Sequence, residues 1–270
     1  NGIYKIYGRE IIDSNNKGYG KITIAKAFEV SSNTGMVRMV HENYKSNPER
    51  FVNRLYNMKL NNKINTPIGG EPNPRIPYPT DEDWYKTTLP WMAYGYGVSL
   101  TPLQILTFYN AVANNGEMVK PKFANKISSI GNKPIHEINK EIIMPSICSK
   151  KNLDIVKQML ENIVQKPWGT ANRINDDYIK IAGKTGTSQT GYDKEGDKSV
   201  NVQYIASFVG YFPSDNPKYT GIVVIHEPKK SKGYYGGTVA APVFKRIAQK
   251  IQSLSPTIVE INKKDIDNLF

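Results

Sequence analysis

The spacing of hydrophobic residues changes along this chain, from a helical period in the first part to strand-like alternation in the second. Apolar residues recur at helical spacing in four segments: residues 21–60, interrupted near residue 32, and residues 101–114, 153–164 and 239–253. Alternating or β-branched residues fill three others: about residues 178–188, 202–212 and 219–227. The pattern predicts helices first, then three strands and a closing helix.

Turn and cap residues set the limits of several elements. Thr101 and Pro102 are typical of a helix start and Gly116 of a helix stop, so the helix at 101–114 is well bounded. Six prolines between residues 66 and 90 exclude long helices and predict an extended segment there. Residues 1–20 form a polar entry segment, and the polar residues 191–199 are expected to form a mobile loop beside the site.

The predicted elements favour an α+β fold. Strands in antiparallel order with helices on both faces give a layered sandwich. A chain of 270 residues with 39% hydrophobic content can bury a sizeable core in one large domain. We expect this domain at residues 1–254, followed by a trailing linker at residues 255–270.

The most informative polar motif is Lys184-Thr185-Gly186-Thr187-Ser188, at the end of the first predicted strand. A lysine on a strand edge, hydroxyls beside it and a glycine without a side chain suit an anionic peptide end that pairs with the strand. The tripeptide Lys-Thr-Gly also occurs in ordinary strands that enter a turn. The motif therefore needs a second signal.

That signal is Ser31-Ser32-Asn33, which interrupts the helical pattern after Phe28. A simple alternative is that Ser32 or Asn33 only caps the following helix, since both residue types are favoured caps. A serine-x-asparagine box followed by a lysine-threonine-glycine box, however, is the pattern of penicillin-binding proteins and class A β-lactamases.

Two longer segments extend this resemblance. Residues 94–104 read Tyr-Gly-Tyr-Gly-Val-Ser-Leu-Thr-Pro-Leu-Gln, and residues 236–244 read Gly-Gly-Thr-Val-Ala-Ala-Pro-Val-Phe. Both are similar to segments of class B penicillin-binding proteins, and the resemblance runs from about residue 8 to residue 252. The Gly-Tyr-Gly opening of the first segment resembles division-specific (septal) transpeptidases more than elongation-specific ones.

The resemblance implies a peptidoglycan D,D-transpeptidase with the penicilloyl-serine transferase fold, which needs no cofactor. Lys184, Thr185 and Thr187 would bind the carboxylate of a D-Ala-D-Ala stem peptide or of a β-lactam, and the Thr187 N–H would be an oxyanion donor. Ser31 would relay a proton to the leaving D-alanine nitrogen. Asn33 would bond the substrate's side-chain amide or the lysine that accompanies the nucleophile, and so help to orient both. Gly186 would stay small so that the acyl donor can lie against the strand, and Ser188, two residues later, would also belong to the substrate-binding segment.

The nucleophile of this chemistry is normally the serine of a Ser-x-x-Lys box. Only Ser14-Asn15-Asn16-Lys17 fits that spacing, and its composition predicts a turn, in which Ser14 and Lys17 do not share a helix face. We therefore expect the nucleophile upstream of Asn1, in a longer parent protein. That parent would be anchored by an N-terminal segment at the extracytoplasmic face of the bacterial inner membrane, with division-complex proteins and a glycan polymerase as partners.

Composition excludes several other classes. The net charge of +12 is spread along the chain without a nucleic-acid-binding signature, so no nucleic-acid partner is expected. The single cysteine and three separated histidines suggest no disulfide and no metal site. The sequence contains no run of eighteen apolar residues, so no membrane span is predicted. Two alternatives stay open: a β-lactam sensor or β-lactamase, and a non-catalytic wall-binding or divisome scaffold module.

Overall fold

The computed structural model describes residues 2–130, 134–190 and 203–254. Within these ranges eight α-helices are α1 (Ile24–Glu29), α2 (Asn33–Tyr44), α3 (Glu49–Asn57), α4 (Thr88–Met92), α5 (Pro102–Ala113), α6 (Lys150–Gln165), α7 (Gly236–Val239) and α8 (Ala241–Leu254). The strands are β1 (Ile3–Ile6), β2 (Arg9–Ile12), β3 (Met118–Val119), β4 (Lys126–Ser128), β5 (Pro134–Glu137), β6 (Ile142–Met144), β7 (Ala182–Thr190), β8 (Gln203–Phe212) and β9 (Tyr219–His226). The proposed mobile loop and trailing linker lie outside the described residues.

The main sheet has three antiparallel strands in the order β7-β8-β9. Alternate residues of β8 face opposite layers, as the two-residue period of a strand requires. Phe208 and Phe212 pack against Phe244 of α8, with ring centroids 4.9 and 5.8 Å apart. From the other face, Asn110 of α5 donates a hydrogen bond to Thr220 of β9. The predicted α+β sandwich is therefore confirmed.

Helix caps follow the sequence closely. Thr101 and Gln104 form a reciprocal capping box at the start of α5, with Pro102 in the first turn. Ser149 caps the start of α6. The helix begins before residue 153 and ends after residue 164, so it is longer at both ends than the predicted helix. The proline-rich segment contains no long helix, as predicted. Its last part, residues 78–88, forms successive turns before the five-residue helix α4.

One predicted strand boundary was wrong, and several small elements were not predicted. Residues 178–181 are not strand, because the Asp176 side chain accepts the N–H groups of Tyr178 and Ile179 and forms a turn. The closing helix predicted at residues 239–253 is confirmed as α8, and a separate short helix, α7, ends just before it at Val239. Pro242 lacks the N–H that a continuous helix would need there. The entry segment contains the hairpin β1-β2, and residues 118–144 contain two small sheets that the pattern did not predict.

Candidate active site

The Ser31 turn follows α1 directly. Ser31 has a φ of +52°, a left-handed conformation that costs free energy for a residue other than glycine. Its N–H donates to the Phe28 carbonyl at 3.1 Å, and the Ser32 N–H donates to the Ala27 carbonyl at 2.8 Å. The turn is thus bonded to the last turn of α1, and any movement of α1 moves the Ser31 hydroxyl.

A buried carboxylate, Asp13, holds the other side of this turn. It is 1% exposed and accepts hydrogen bonds from the Ser32 hydroxyl and from the N–H and hydroxyl of Thr34 at 2.9–3.1 Å. Ser32 also accepts the Gly35 N–H and caps α2. The simple capping interpretation is therefore correct for Ser32, while Ser31 is available to the site.

Strand β7 presents an edge to the site, because it pairs with β8 on one side only within the described sheet. The Tyr204 carbonyl of β8 accepts the Glu227 N–H, so the Tyr204 backbone faces β9. Its partner Gln189 therefore points its N–H away from β8, where it donates to the Tyr96 hydroxyl at 3.4 Å. By the same two-residue period, the backbone N–H and C=O groups of Thr185 and Thr187 face this outer edge.

Lys184 joins the two motifs. Its Nζ donates to Ser31 Oγ at 2.8 Å and to the Thr185 carbonyl at 3.1 Å. The Phe28 ring of α1 lies 5.8 Å from the amine. Burial lowers the Lys184 pKa from 10.5 to about 8. The two motifs that the resemblance assigns to one site are thus joined in the fold by a direct contact, and the lysine has a pKa of about 8.

The remaining residues of the motif, residues 185–188, follow Lys184 along β7. The Thr185 hydroxyl is 2.8 Å from the Thr170 hydroxyl, and Thr187 Oγ1 accepts the Gly236 N–H at 3.0 Å. A Cβ on Gly186 would lie 2.5 Å from Ser207 Oγ on the paired strand. Ser188 is exposed, so the second half of the motif is open to solvent.

Asn33 is placed differently from the rest. Its Nδ2 donates to the Ile12 carbonyl at 2.9 Å, which fastens α2 to the end of β2. This contact uses one of the two amide protons and leaves the Oδ1 with acceptor capacity. The substrate-orienting role of Asn33 stays a prediction.

Sequence reasoning missed Asp13, Thr170 and Tyr96 as site residues. Asp13 lies just after an unpredicted hairpin, and Thr170 lies in a loop without a recognised motif. Tyr96 belongs to the Tyr-Gly-Tyr-Gly segment that was noted only as a family signature. The Ser14 segment, in contrast, forms the predicted turn, in which Asn15 Oδ1 accepts the N–H groups of Lys17 and Gly18.

Nothing in the described residues indicates a metal centre, because they contain no group of three or more potential ligands among His, Cys, Asp and Glu. No helix in these residues combines the length and the apolar character that are needed to cross a membrane.

We expect the Lys184 amine to titrate near pH 8 in the folded chain. The unfolded chain keeps this proton up to about pH 10.5, so it binds more protons than the folded chain between these values. Relative to Lys184→Met, folding stability should therefore rise as pH increases from about 8 to about 10.5. Lysine ε-¹³C NMR, assigned with Lys184→Met, measures the midpoint. A midpoint of 10.5 or higher would contradict the buried environment.

Comparisons with known proteins identify the family of this chain. The sequence model of the penicillin binding protein transpeptidase domain matches residues 3–249. The chain therefore belongs to the penicillin-binding protein transpeptidase family, and the class B resemblance inferred from its motifs is confirmed.

Its curated relatives include peptidoglycan D,D-transpeptidases and penicillin-binding proteins. The peptidoglycan D,D-transpeptidase FtsI of Buchnera aphidicola subsp. Baizongia pistaciae is 31% identical over 85% of this chain and 37% of its own length. The penicillin-binding protein PbpB of Mycolicibacterium smegmatis is 28% identical over 89% of this chain and 37% of its own. The chain thus spans somewhat more than a third of the length of these curated relatives.

Solved structures show the same fold. Penicillin binding protein 3 of Mycobacterium tuberculosis in complex with ampicillin has a TM-score of 0.77 and 27% identity. The match covers 94% of this chain and 55% of that one. The apo transpeptidase domain of penicillin-binding protein 3 from Burkholderia pseudomallei has a TM-score of 0.75 and 27% identity, over 95% and 71% of the two chains.

Proposed function

We propose that this chain is part of a serine-type peptidoglycan D,D-transpeptidase that cross-links stem peptides during cell division and is a target of β-lactams. The hydrogen bond between Lys184 Nζ and Ser31 Oγ is the observation that supports this most directly, because it joins two motifs far apart in sequence beside an open strand edge. Division-type relatives and the ampicillin-bound structural neighbour support the same assignment.

The substrate pairs with the outer edge of β7. Its terminal carboxylate is attracted by Lys184, which at neutral pH is protonated in roughly a tenfold excess over its neutral form because its pKa is about 8. The hydroxyls of Thr185 and Thr187 bind the same carboxylate. The Thr187 N–H, which faces the outer edge, donates to the oxyanion, and loss of such a donor typically costs about a hundredfold or more in rate.

Ser31 carries the proton in this proposal. Its oxygen accepts a hydrogen bond from Lys184, so its own proton is available for the leaving D-alanine nitrogen. A lysine with a pKa of about 8 can restore that proton near neutral pH. Asn33 orients the substrate through its amide oxygen, and Gly186 leaves space for the acyl donor.

The acylated serine is proposed to belong to a Ser-x-x-Lys box upstream of Asn1, so this chain alone would be inactive. The longer protein would act at the extracytoplasmic face of the inner membrane, through an N-terminal anchor that precedes this chain. Division-complex proteins and a glycan polymerase are its proposed partners.

Labelled penicillin applied to the full-length protein tests the proposal. We expect one modified serine, located by peptide mass spectrometry in a Ser-x-x-Lys box upstream of Asn1. Ser14 should stay unmodified, because it lies in a turn rather than at the start of a helix. A label on Ser14 would overturn the assignment of the nucleophile, and no label on any serine would favour the non-catalytic scaffold.

A further inference from the structure

A second buried carboxylate, Glu29, lies two residues before the Ser31 turn and takes no part in the proposed chemistry. It is the last residue of α1 and is 4% exposed. The carboxyl end of a helix is unfavourable for an acidic side chain, and burial adds a further cost unless hydrogen bonds compensate it. Such a placement calls for a structural reason.

The partners of Glu29 supply that reason. Asn162 Nδ2 in α6 donates to one carboxylate oxygen at 2.7 Å, and the Trp168 indole N–H donates to the other at 2.6 Å. Both donors are neutral, and both lie outside α1. The Lys26 amine of α1 lies 3.0 Å from the centroid of the same indole ring, which adds a second contact between helix and loop.

The loop that carries Trp168 also touches the other half of the site. Two residues later, the Thr170 hydroxyl is 2.8 Å from that of Thr185. The loop has little freedom, because a Cβ on Gly169 would lie 2.1 Å from the Ile163 carbonyl oxygen, and one on Gly237 would lie 2.2 Å from that of Thr170. Residues 168–170 therefore bridge the end of α1 and strand β7.

We propose that Glu29 is a positioning residue, which, through Asn162 and Trp168, holds the end of α1 so that the Ser31 hydroxyl stays at hydrogen-bond distance from Lys184. Ser31 follows α1 because its own N–H bonds to the Phe28 carbonyl and the Ser32 N–H bonds to the Ala27 carbonyl, so the anchor acts on this turn directly. Phe28, on the same helix, faces the lysine amine. The anchor therefore also helps to keep water from Lys184. The inference rests on the proposed function for the catalytic importance of Ser31 and Lys184.

Three single variants weaken the anchor in different ways. Glu29→Gln replaces one acceptor oxygen by a donor, Trp168→Phe removes the indole N–H but keeps an aromatic ring, and Asn162→Leu removes the amide. Glu42→Gln is the matched control, because Glu42 pairs with Arg38 on the exposed surface of α2. Circular dichroism establishes which variants fold. If Glu29→Gln does not fold, Trp168→Phe and Asn162→Leu, which each remove one donor to Glu29, still test the proposal.

The first readout is the Lys184 titration midpoint by lysine ε-¹³C NMR. A displaced α1 admits water to the amine, so the midpoint should rise by roughly one unit in the anchor variants and stay unchanged in Glu42→Gln. The second readout is the rate of penicillin acylation of the full-length protein, expected to fall by about tenfold to a hundredfold as geometry is lost. Trp168→Phe and Asn162→Leu should each have smaller effects than Glu29→Gln, because each leaves the other donor bonded to Glu29.

The outcomes separate the two proposals. Folded variants with the wild-type titration midpoint would overturn the positioning role of Glu29, whatever the acylation rate. A raised midpoint with unchanged acylation would support the anchor as a physical device but overturn the catalytic assignment of Ser31 and Lys184. A raised midpoint together with slow acylation supports both.

Discussion

Replacing Lys184 by alanine should abolish penicillin acylation of the full-length protein, with a loss of at least about a hundredfold. The variant removes the amine that joins Ser31 to the Thr185 carbonyl, and with it the positive charge beside the strand edge. Ligand carboxylates then lose their charge-assisted partner, and Ser31 loses the group that orients its hydroxyl. The rate of formation of the labelled acyl-enzyme measures the effect.

The fold should survive this change. Burial lowers the Lys184 pKa, which means that the folded chain holds the charge at a free-energy cost, and alanine removes that cost. Lys180→Ala is the matched control, since Lys180 is exposed and lies four residues earlier. Acylation at the normal rate by a folded Lys184→Ala protein would be incompatible with the proposed site.

The pairing of Ser31 with Lys184 could be predicted from the sequence because both residues belong to motifs with chemistry that requires them together. Their environment could not. Asp13, which holds the Ser32 side of the turn, follows a hairpin of four-residue strands, too short to give a clear alternation. A carboxylate in a polar segment gives no sign in the sequence that it is 1% exposed.

Element boundaries depended on contacts outside the local pattern. Strand β7 begins at Ala182 because its ladder with β8 begins at the pair Ala182 and Tyr211, whereas the preceding isoleucines are buried in a turn. The pattern of buried residues at 179 and 181 is the same for a strand and for this turn. Only the partner strand distinguishes them, and the partner lies about thirty residues further along the chain.

Gly236→Ala should have the second large effect, on stability as well as on the site. A Cβ at this position would lie 2.2 Å from the Ser207 carbonyl oxygen and 2.5 Å from that of Gly186. Both obstacles are backbone atoms of paired strands, so neither can rotate away as a flexible side chain would. We expect a cost of about 3 kcal/mol, as for a poorly tolerated overpacking substitution in a core.

The site should be affected at the same time. The Gly236 N–H donates to Thr187 Oγ1 at 3.0 Å, and moving the start of α7 away from β7 breaks this bond or shifts the strand. For a domain of this size, a cost of 3 kcal/mol lowers the melting temperature by roughly 6–12 °C. Penicillin acylation of the full-length protein should slow in parallel, because the Thr187 N–H and hydroxyl move together.

Gly69→Ala is a stringent control for this prediction. A Cβ there meets nothing within 4 Å, and Gly69 has no left-handed φ, so the substitution should change the melting temperature little or raise it slightly. Thermal melts of the two alanine variants side by side therefore separate the steric conflict from the general effect of replacing glycine. Equal melting temperatures would mean that α7 does not pack against β7 and β8 as closely as the structure has it. In that case the hydrogen bond from the Gly236 N–H to Thr187 Oγ1 would not fix the position of Thr187.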